Sequence, residues 1–320
     1  MKLGMFTVPF SSKPLGETLD YLCKLGVQAV ELGCGGYPGN AHCNLDELLA
    51  APDKAKAMKS LVADKGMVIS ALSMHANHVH PNQAEAAAAH ETYGKALKVA
   101  EMLGVDTLVT FSGCPGDAPG AKYPNWVTCP WPEDFLAILD YQWNECLIPY
   151  WRNAAKMADD HGIKVALEMH PGFCVYNPET TLKLRAAAGN AIGANLDPSH
   201  LIWQGIDIVA AIRALGDAIH YVHAKDTKVD ALNAAVNGVL DTKHYSDELH
   251  RSWLFRAVGY GQDALYWKDI VSNLRMVGYD KVMSIEHEDS LMTFEEGLKK
   301  AVFVLQQAIM FEDKGEVTWA

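Results

Sequence analysis

Eight short, β-rich apolar runs recur along the chain, and each is separated from the next by a segment of helical period. They are LGMFTV (3–8), AVELGC (29–34), VISALSM (68–74), TLVTFS (107–112), KVALEMH (164–170), AIGANLD (191–197), IHYVHAK (219–225) and VMSIEHE (282–288). Strands alternating with helices are the pattern of repeated βα units and a parallel sheet. Between the runs lie TLDYLCKLG, DKAKAMKSLVADKG, AEAAAAHETYGKALKVAEMLG, LIPYWRNAAKMADDHG, ETTLKLRAAAG, IVAAIRALG, ALYWKDIVSNLRMVG and FEEGLKKAVFVLQQAI. Several of these close on glycine, as the position after a helix prefers.

Eight such units in a chain of 320 residues point to an α/β fold, a (β/α)8 TIM barrel. No linker or low-complexity segment interrupts the series, so residues 1–320 read as a single TIM-barrel domain. Two connections on the strand C-terminal side, 113–134 and 226–263, are too long to be mere connectors. They are expected to cover the face where such barrels keep their chemistry.

The formal charge of −12, with both signs interspersed, argues against a nucleic-acid or anionic-membrane partner and favours a small polar ligand. Seven cysteines, odd in number and without a C-x-x-C, suggest neither a disulfide framework nor a structural zinc site. The opening MKLGMFTVPF lacks a long apolar stretch and a small-residue cleavage site, and no apolar run reaches membrane-spanning length. A cytoplasmic protein is the expectation.

Charged residues at the ends of apolar strands need a reason. Four consecutive strands supply them: Glu168 in ALEMH, Asp197 in NLDPSH, His223 in YVHAKD and Glu286 in SIEHED. Taken singly, each has a plain structural reading: a salt-bridged rim glutamate, a core histidine, or an aspartate capping a turn. Taken together, three carboxylates converging in an apolar mouth would repel one another unless a cation held them. An oxygen-rich set with one imidazole and no thiolate suits Mn²⁺, Co²⁺, Fe²⁺ or Mg²⁺, with Mn²⁺ first and Zn²⁺ still admissible. His200, three residues after Asp197, reads as a second ligand or, preferably, a substrate contact.

At these residues the chain resembles the xylose isomerase-like TIM barrels, a family that includes sugar epimerases, ketose isomerases and inosose dehydratase. The resemblance covers essentially the whole chain. It rests on Glu168, then Asp197-x-x-His200, then His223-x-Lys225-Asp226, then Glu286, with the G-x-G and aromatic of VGYGQDALYW before the last unit. It implies one divalent metal on Glu168, Asp197, His223 and Glu286, with the two glutamates acting as acid and base on opposite sides of a sugar carbon. The activity implied is sugar isomerisation or epimerisation by proton abstraction next to a carbonyl, through a cis-enediolate. A leaving group β to that carbonyl would be expelled by the same chemistry.

Further residues are expected around the substrate: His170, two after Glu168; His75 after the third strand; Glu31 at the end of the second; Lys225; and Arg256, whose plain reading is a surface charge. Trp126, Trp131, Trp203 and Trp253 lie on mouth-side loops, where indole faces cover sugar C–H surfaces, although ordinary packing explains each one equally well. His75, His78 and His80 could form a second metal cluster, but loop histidines beside proline are more often polar filling.

Three rivals stand beside the isomerase reading. Some members similar to this chain are the metal-bearing subunit of lyases that eliminate the aglycone from 3-keto-C-glycosides, working with a small partner subunit. Endonuclease IV-like repair enzymes need a D-x-H pair that this sequence lacks, and its acidity disfavours DNA. A non-catalytic sugar-binding barrel would have no use for two glutamates and a histidine around one metal. The resemblance also implies a homo-oligomer, a dimer or tetramer.

Overall fold

The computed structural model describes residues 1–318 and shows a closed barrel of eight parallel strands. In chain order the strands are β1 (Lys2–Phe6), β2 (Ala29–Gly33), β3 (Val68–Ser73), β4 (Thr107–Phe111), β5 (Lys164–Glu168), β6 (Ile192–Leu196), β7 (Ile219–Ala224), β8 (Asp226–Val229), β9 (Trp253–Arg256) and β10 (Val282–Ile285). The barrel closes in the order β1-β10-β7-β6-β5-β4-β3-β2, while β8 and β9 form a separate antiparallel pair. The helices are α1 (Leu15–Lys24), α2 (Leu45–Ala50), α3 (Pro52–Ala63), α4 (Gln83–Leu103), α5 (Asp134–Asp140), α6 (Ile148–Asp160), α7 (Pro178–Ala188), α8 (Pro198–Ile202), α9 (Ile208–Leu215), α10 (Ala231–Asn237), α11 (Ala264–Met276) and α12 (Phe294–Ala308). All eight expected strands are present, each ending a residue or more before its apolar run does. The residues that remain include Asp197, Lys225 and Glu286, at the barrel mouth.

Local chemistry fixes the helix ends. Asn82 accepts the Ala84 amide at 3.1 Å to start α4, and Gly104, at φ 72°, closes it. Asn177 caps α7, where Pro178 occupies the first turn and needs no donor. Among the described residues no helix is long and apolar enough to cross a membrane.

Two apolar layers follow from the alternation of strand side chains. The larger lies between the strands and the helices. A smaller cluster of Ala29, Ala71, Val109, Ala166, Tyr221 and Val282 is separate from it. Ala29, Ala166 and Tyr221 each stand two residues before Glu31, Glu168 and His223, so they share those residues' strand face. The small alanines leave room for the Tyr221 ring, whose hydroxyl bonds Ser70 at 2.6 Å. A packed barrel interior thus forms the floor on which the polar residues stand.

The long segment 226–263 is not a loop throughout, as the sequence suggested; it carries β8, α10 and β9. Four-residue strands with polar positions, DTKV and WLFR, leave too little pattern to read. The Asp226 carboxylate ties the segment down by accepting the backbone N–H groups of Thr227, Gly259, Gly261 and Gln262, and the Trp267 indole N–H. Gly261 is required in this approach, because a Cβ there would lie 2.4 Å from Asp226 Oδ1 and from the Thr227 carbonyl. The segment 113–134 is pinned in a different way: the buried Gln142 amide donates to the carbonyls of Pro115, Gly116 and Asn125 at 2.6–3.2 Å.

Candidate metal centre and active site

Glu168 is the last residue of β5, Asp197 follows β6, His223 is the last but one of β7, and Glu286 follows β10. These strands are neighbours around the ring, so equivalent strand ends bring the four side chains to one point. One donor atom from each lies within 4.8 Å of the other three. His223 Nδ1 is 3.2 Å from Glu168 Oε2 and 3.1 Å from Glu286 Oε2.

Asp197 divides its oxygens between two tasks. Its Oδ1 accepts the Ser199 amide at 2.8 Å and so caps α8, while Oδ2 is buried and has no hydrogen-bond partner. His223 Nδ1 and Glu286 Oε2 are likewise buried without a partner. Orphaned buried polar atoms are costly, and three of them facing one point are an arrangement that a cation would satisfy. The donor set, three carboxylates and one imidazole, fits a divalent metal ion.

The electrostatics agree. Burial pushes the Asp197 carboxyl up to about 6, although His200 and Lys225 pull it down. Burial would lower His223, but Glu31 and Glu286 raise it well above the usual imidazole range. Burial would raise Glu286, but the Lys225 ammonium brings it down to about 2. Protons and a lysine therefore supply positive charge that the cluster lacks. Lys225 itself is buried, 2.7 Å from Glu288 and 3.4 Å from Glu286, over the Phe255 ring.

Three polar residues hold the candidate ligands in place. Glu31 accepts from His223 Nε2 at 3.0 and 3.1 Å, which holds the ring with Nδ1 turned toward the cluster. Ser73 and Ser284 donate to the same carboxylate. Asn195 donates to Glu168 Oε2 at 3.1 Å, and His75 Nε2 lies 3.0 Å from that oxygen. The expectation that Glu31 meets substrate is corrected: it is fully buried and serves His223. Asn195 was not singled out from the sequence, although an amide inside the apolar run IGANL, two residues before Asp197, was the available signal.

Above the cluster opens a cavity of about 670 Å³, whose walls include His75, Glu168, His170, His200, Lys225 and Glu286. That volume matches a small-molecule ligand. Arg256 is not among its walls; the guanidinium is turned to Asp289, with Nε 3.0 Å from Oδ2. The four tryptophans do not line it either. Trp203 and Trp253 stack on each other at 4.8 Å, Trp126 lies beside Tyr176 in a separate cavity, and Trp131 is exposed. Phe6, Tyr37, Phe111, Tyr245 and Phe255 supply the aromatic faces instead. His78 is no metal ligand here: its Nε2 bonds Thr110 at 2.9 Å and its Nδ1 bonds Tyr150 at 3.1 Å.

Comparison with known proteins places the chain in a family. Residues 19–307 match the model of the family described as xylose isomerase-like TIM barrel. The chain belongs to that family. It is 40% identical to the uncharacterized protein YfiH of Bacillus subtilis over 313 residues, 97% of this chain and 99% of YfiH. Among solved structures in the family fold it resembles the IOLI protein with a bound zinc atom, with a TM-score of 0.66 at 18% identity, covering 97% of this chain and 98% of that one. It also resembles D-psicose 3-epimerase from Clostridium cellulolyticum H10, with a TM-score of 0.63 at 14% identity, covering 96% of this chain and 98% of that one.

Proposed function

We propose that this protein is a divalent-metal-dependent sugar isomerase or epimerase that removes the proton next to a carbonyl and returns it through an enediolate. The observation that carries this reading is the convergence of unpartnered Asp197 Oδ2, His223 Nδ1 and Glu286 Oε2 beside Glu168, on the floor of a sugar-sized cavity. A bound divalent ion, with Mn²⁺ the first candidate, would polarise the substrate carbonyl and offset the charge of the enediolate.

Glu286 is the better placed base. It faces the cavity and is ionised at neutral pH. Lys225 beside it supplies a positive charge for a substrate oxygen. Glu168 sits on the other side, with His75 and Asn195 on Oε2 and His200 near Oε1. Glu286, carrying the proton it has removed, can return it to the neighbouring carbon; return to the opposite face is the role left to Glu168, once it has taken a proton from water. The aromatic walls cover C–H surfaces and exclude water.

One observation also favours a second reading. The hydrogen-bond loads on the two glutamates are unequal, so Glu168 is a weaker base than Glu286. Chemistry that needs only one base, elimination of a group β to the carbonyl, would use the site as it stands, and a bulky 3-keto-C-glycoside is one such substrate. The test is a screen of ketoses, inososes and 3-keto-glycosides with and without chelator. An isomeric product that disappears with EDTA supports the first reading, and an unsaturated product supports the second. A protein that keeps full activity after exhaustive chelation contradicts both.

A further inference from the structure

We infer that α10, in the segment that covers the barrel mouth, is the contact surface for a second copy of this chain, packed against its counterpart across a two-fold axis. The helix is turned inside out. Ala231, Leu232, Ala235 and Val236 are exposed, while Asn233 is turned inward, where its amide donates to the Leu249 and Arg251 carbonyls at 2.9 Å. A surface helix ordinarily does the reverse and lays its apolar stripe against its own core. None of the α10 side chains is buried, and Leu232 and Val236 are 82% and 83% exposed. A helix of seven residues is too short to be held by its backbone alone and depends on the packing of an apolar face. In a single copy that face meets water.

The patch extends beyond the helix. The Asn233 bonds lay residues 249–251 alongside α10, and the apolar side chains of Leu249 and Leu240 are exposed as well. At about 100 Å² for each aliphatic side chain removed from water, the four supply about 400 Å² per copy and about 800 Å² in a two-fold contact. Homodimer interfaces are about 65% apolar, so the whole contact comes to about 1,200 Å², the size at which specific interfaces begin.

The shape and charge of the patch select a second copy. Residues four apart stack along a helix, so Ala231 and Ala235 form a low column beside the raised column of Leu232 and Val236. An antiparallel copy seats its large side chains over the alanines of the first, and the relation is reciprocal, as a two-fold contact requires. The run ALNAAVNGVL, 231–240, holds no charged residue in a chain of net charge −12. Two like-charged copies therefore meet where neither carries charge. The same segment contributes Tyr245, Leu254 and Phe255 to the cavity walls, so the contact also holds the cover down.

The experiment is sedimentation velocity and light scattering on the unaltered protein and on Leu232→Glu and Val236→Glu, with circular dichroism to check folding. The unaltered protein is expected at twice the 35.0 kDa of one chain, and each substitution is expected to return it to a single chain with the dichroism unchanged. Leu232→Ser, too mild to unfold an exposed helix, should raise the dimer dissociation constant by about tenfold or more. Phe303→Glu, at an exposed apolar position on α12, should leave the dimer intact. An unaltered protein that sediments as one chain overturns the inference and leaves the face to a different protein. An assembly that persists unweakened in the Leu232 and Val236 variants overturns it as well, because another face then holds the copies together.

Discussion

Glu31, at the end of β2, reaches across the barrel mouth to His223 on β7 and accepts its Nε2 proton with both carboxylate oxygens, at 3.0 and 3.1 Å. The bond decides which imidazole nitrogen is free for a cation. Glu31→Gln keeps the shape and one acceptor but removes the charge. Partners of this kind are typically worth about 10–100-fold in metal affinity. Competition titration with a chelating dye should show a loss of that order. Unaltered affinity would remove Glu31 from the metal centre.

His78 gives a prediction about acid stability. Burial, with the neighbouring His90 adding to it, holds its imidazole down at about 3, against an ordinary value of 6.5, while Thr110 and Tyr150 occupy both ring nitrogens. Below pH 6.5 the unfolded chain takes up this proton and the native protein does not. Stability is therefore lost as the pH falls from about 6.5 toward 3, by up to about 1.4 kcal/mol per pH unit from this residue. His78→Gln lacks that contribution. Denaturant melts at pH 7, 6, 5 and 4 should show the stability gap between the two proteins narrowing as the pH drops; a constant gap would contradict the assignment.

Asp226 should act on stability through the covering segment rather than on chemistry. An asparagine there would set its amide against the N–H groups that now meet the carboxylate, a mismatch costing about 1–3 kcal/mol. Limited proteolysis of Asp226→Asn should cut within residues 226–263 faster than in the unaltered protein. Equal rates would mean that the segment is held by other contacts.

Buried parallel strands read as apolar runs, and that is why all eight barrel strands were legible in the sequence. The candidate metal ligands were legible for a related reason: Glu168, Asp197, His223 and Glu286 each interrupt such a run, and nothing in a strand's own physics asks for them. Partners acting at a distance were harder to read. Glu31 is also a charge at a strand end, and only the three-dimensional register turns it from the cavity toward His223. Arg256 and the loop tryptophans failed as expectations because side chains on connections have no fixed direction until the connection is folded. β9 and the packing of Trp253 on Trp203 set that direction, and neither has a periodic signal four residues long.

The central claim is that Glu286 removes a proton next to a carbonyl with a metal ion in place. The measurement is deuterium incorporation, followed by NMR, when Mn²⁺-loaded protein is incubated in D₂O with a panel of ketohexoses, ketopentoses, inososes and 3-keto-glycosides. Exchange is predicted at the carbon beside the carbonyl of at least one substrate, abolished by chelator and slowed by about 10²–10⁴-fold in Glu286→Gln, the range for loss of a general base. Exchange that survives in Glu286→Gln at the unaltered rate, or no exchange on any of these substrates by fully loaded protein, would contradict it.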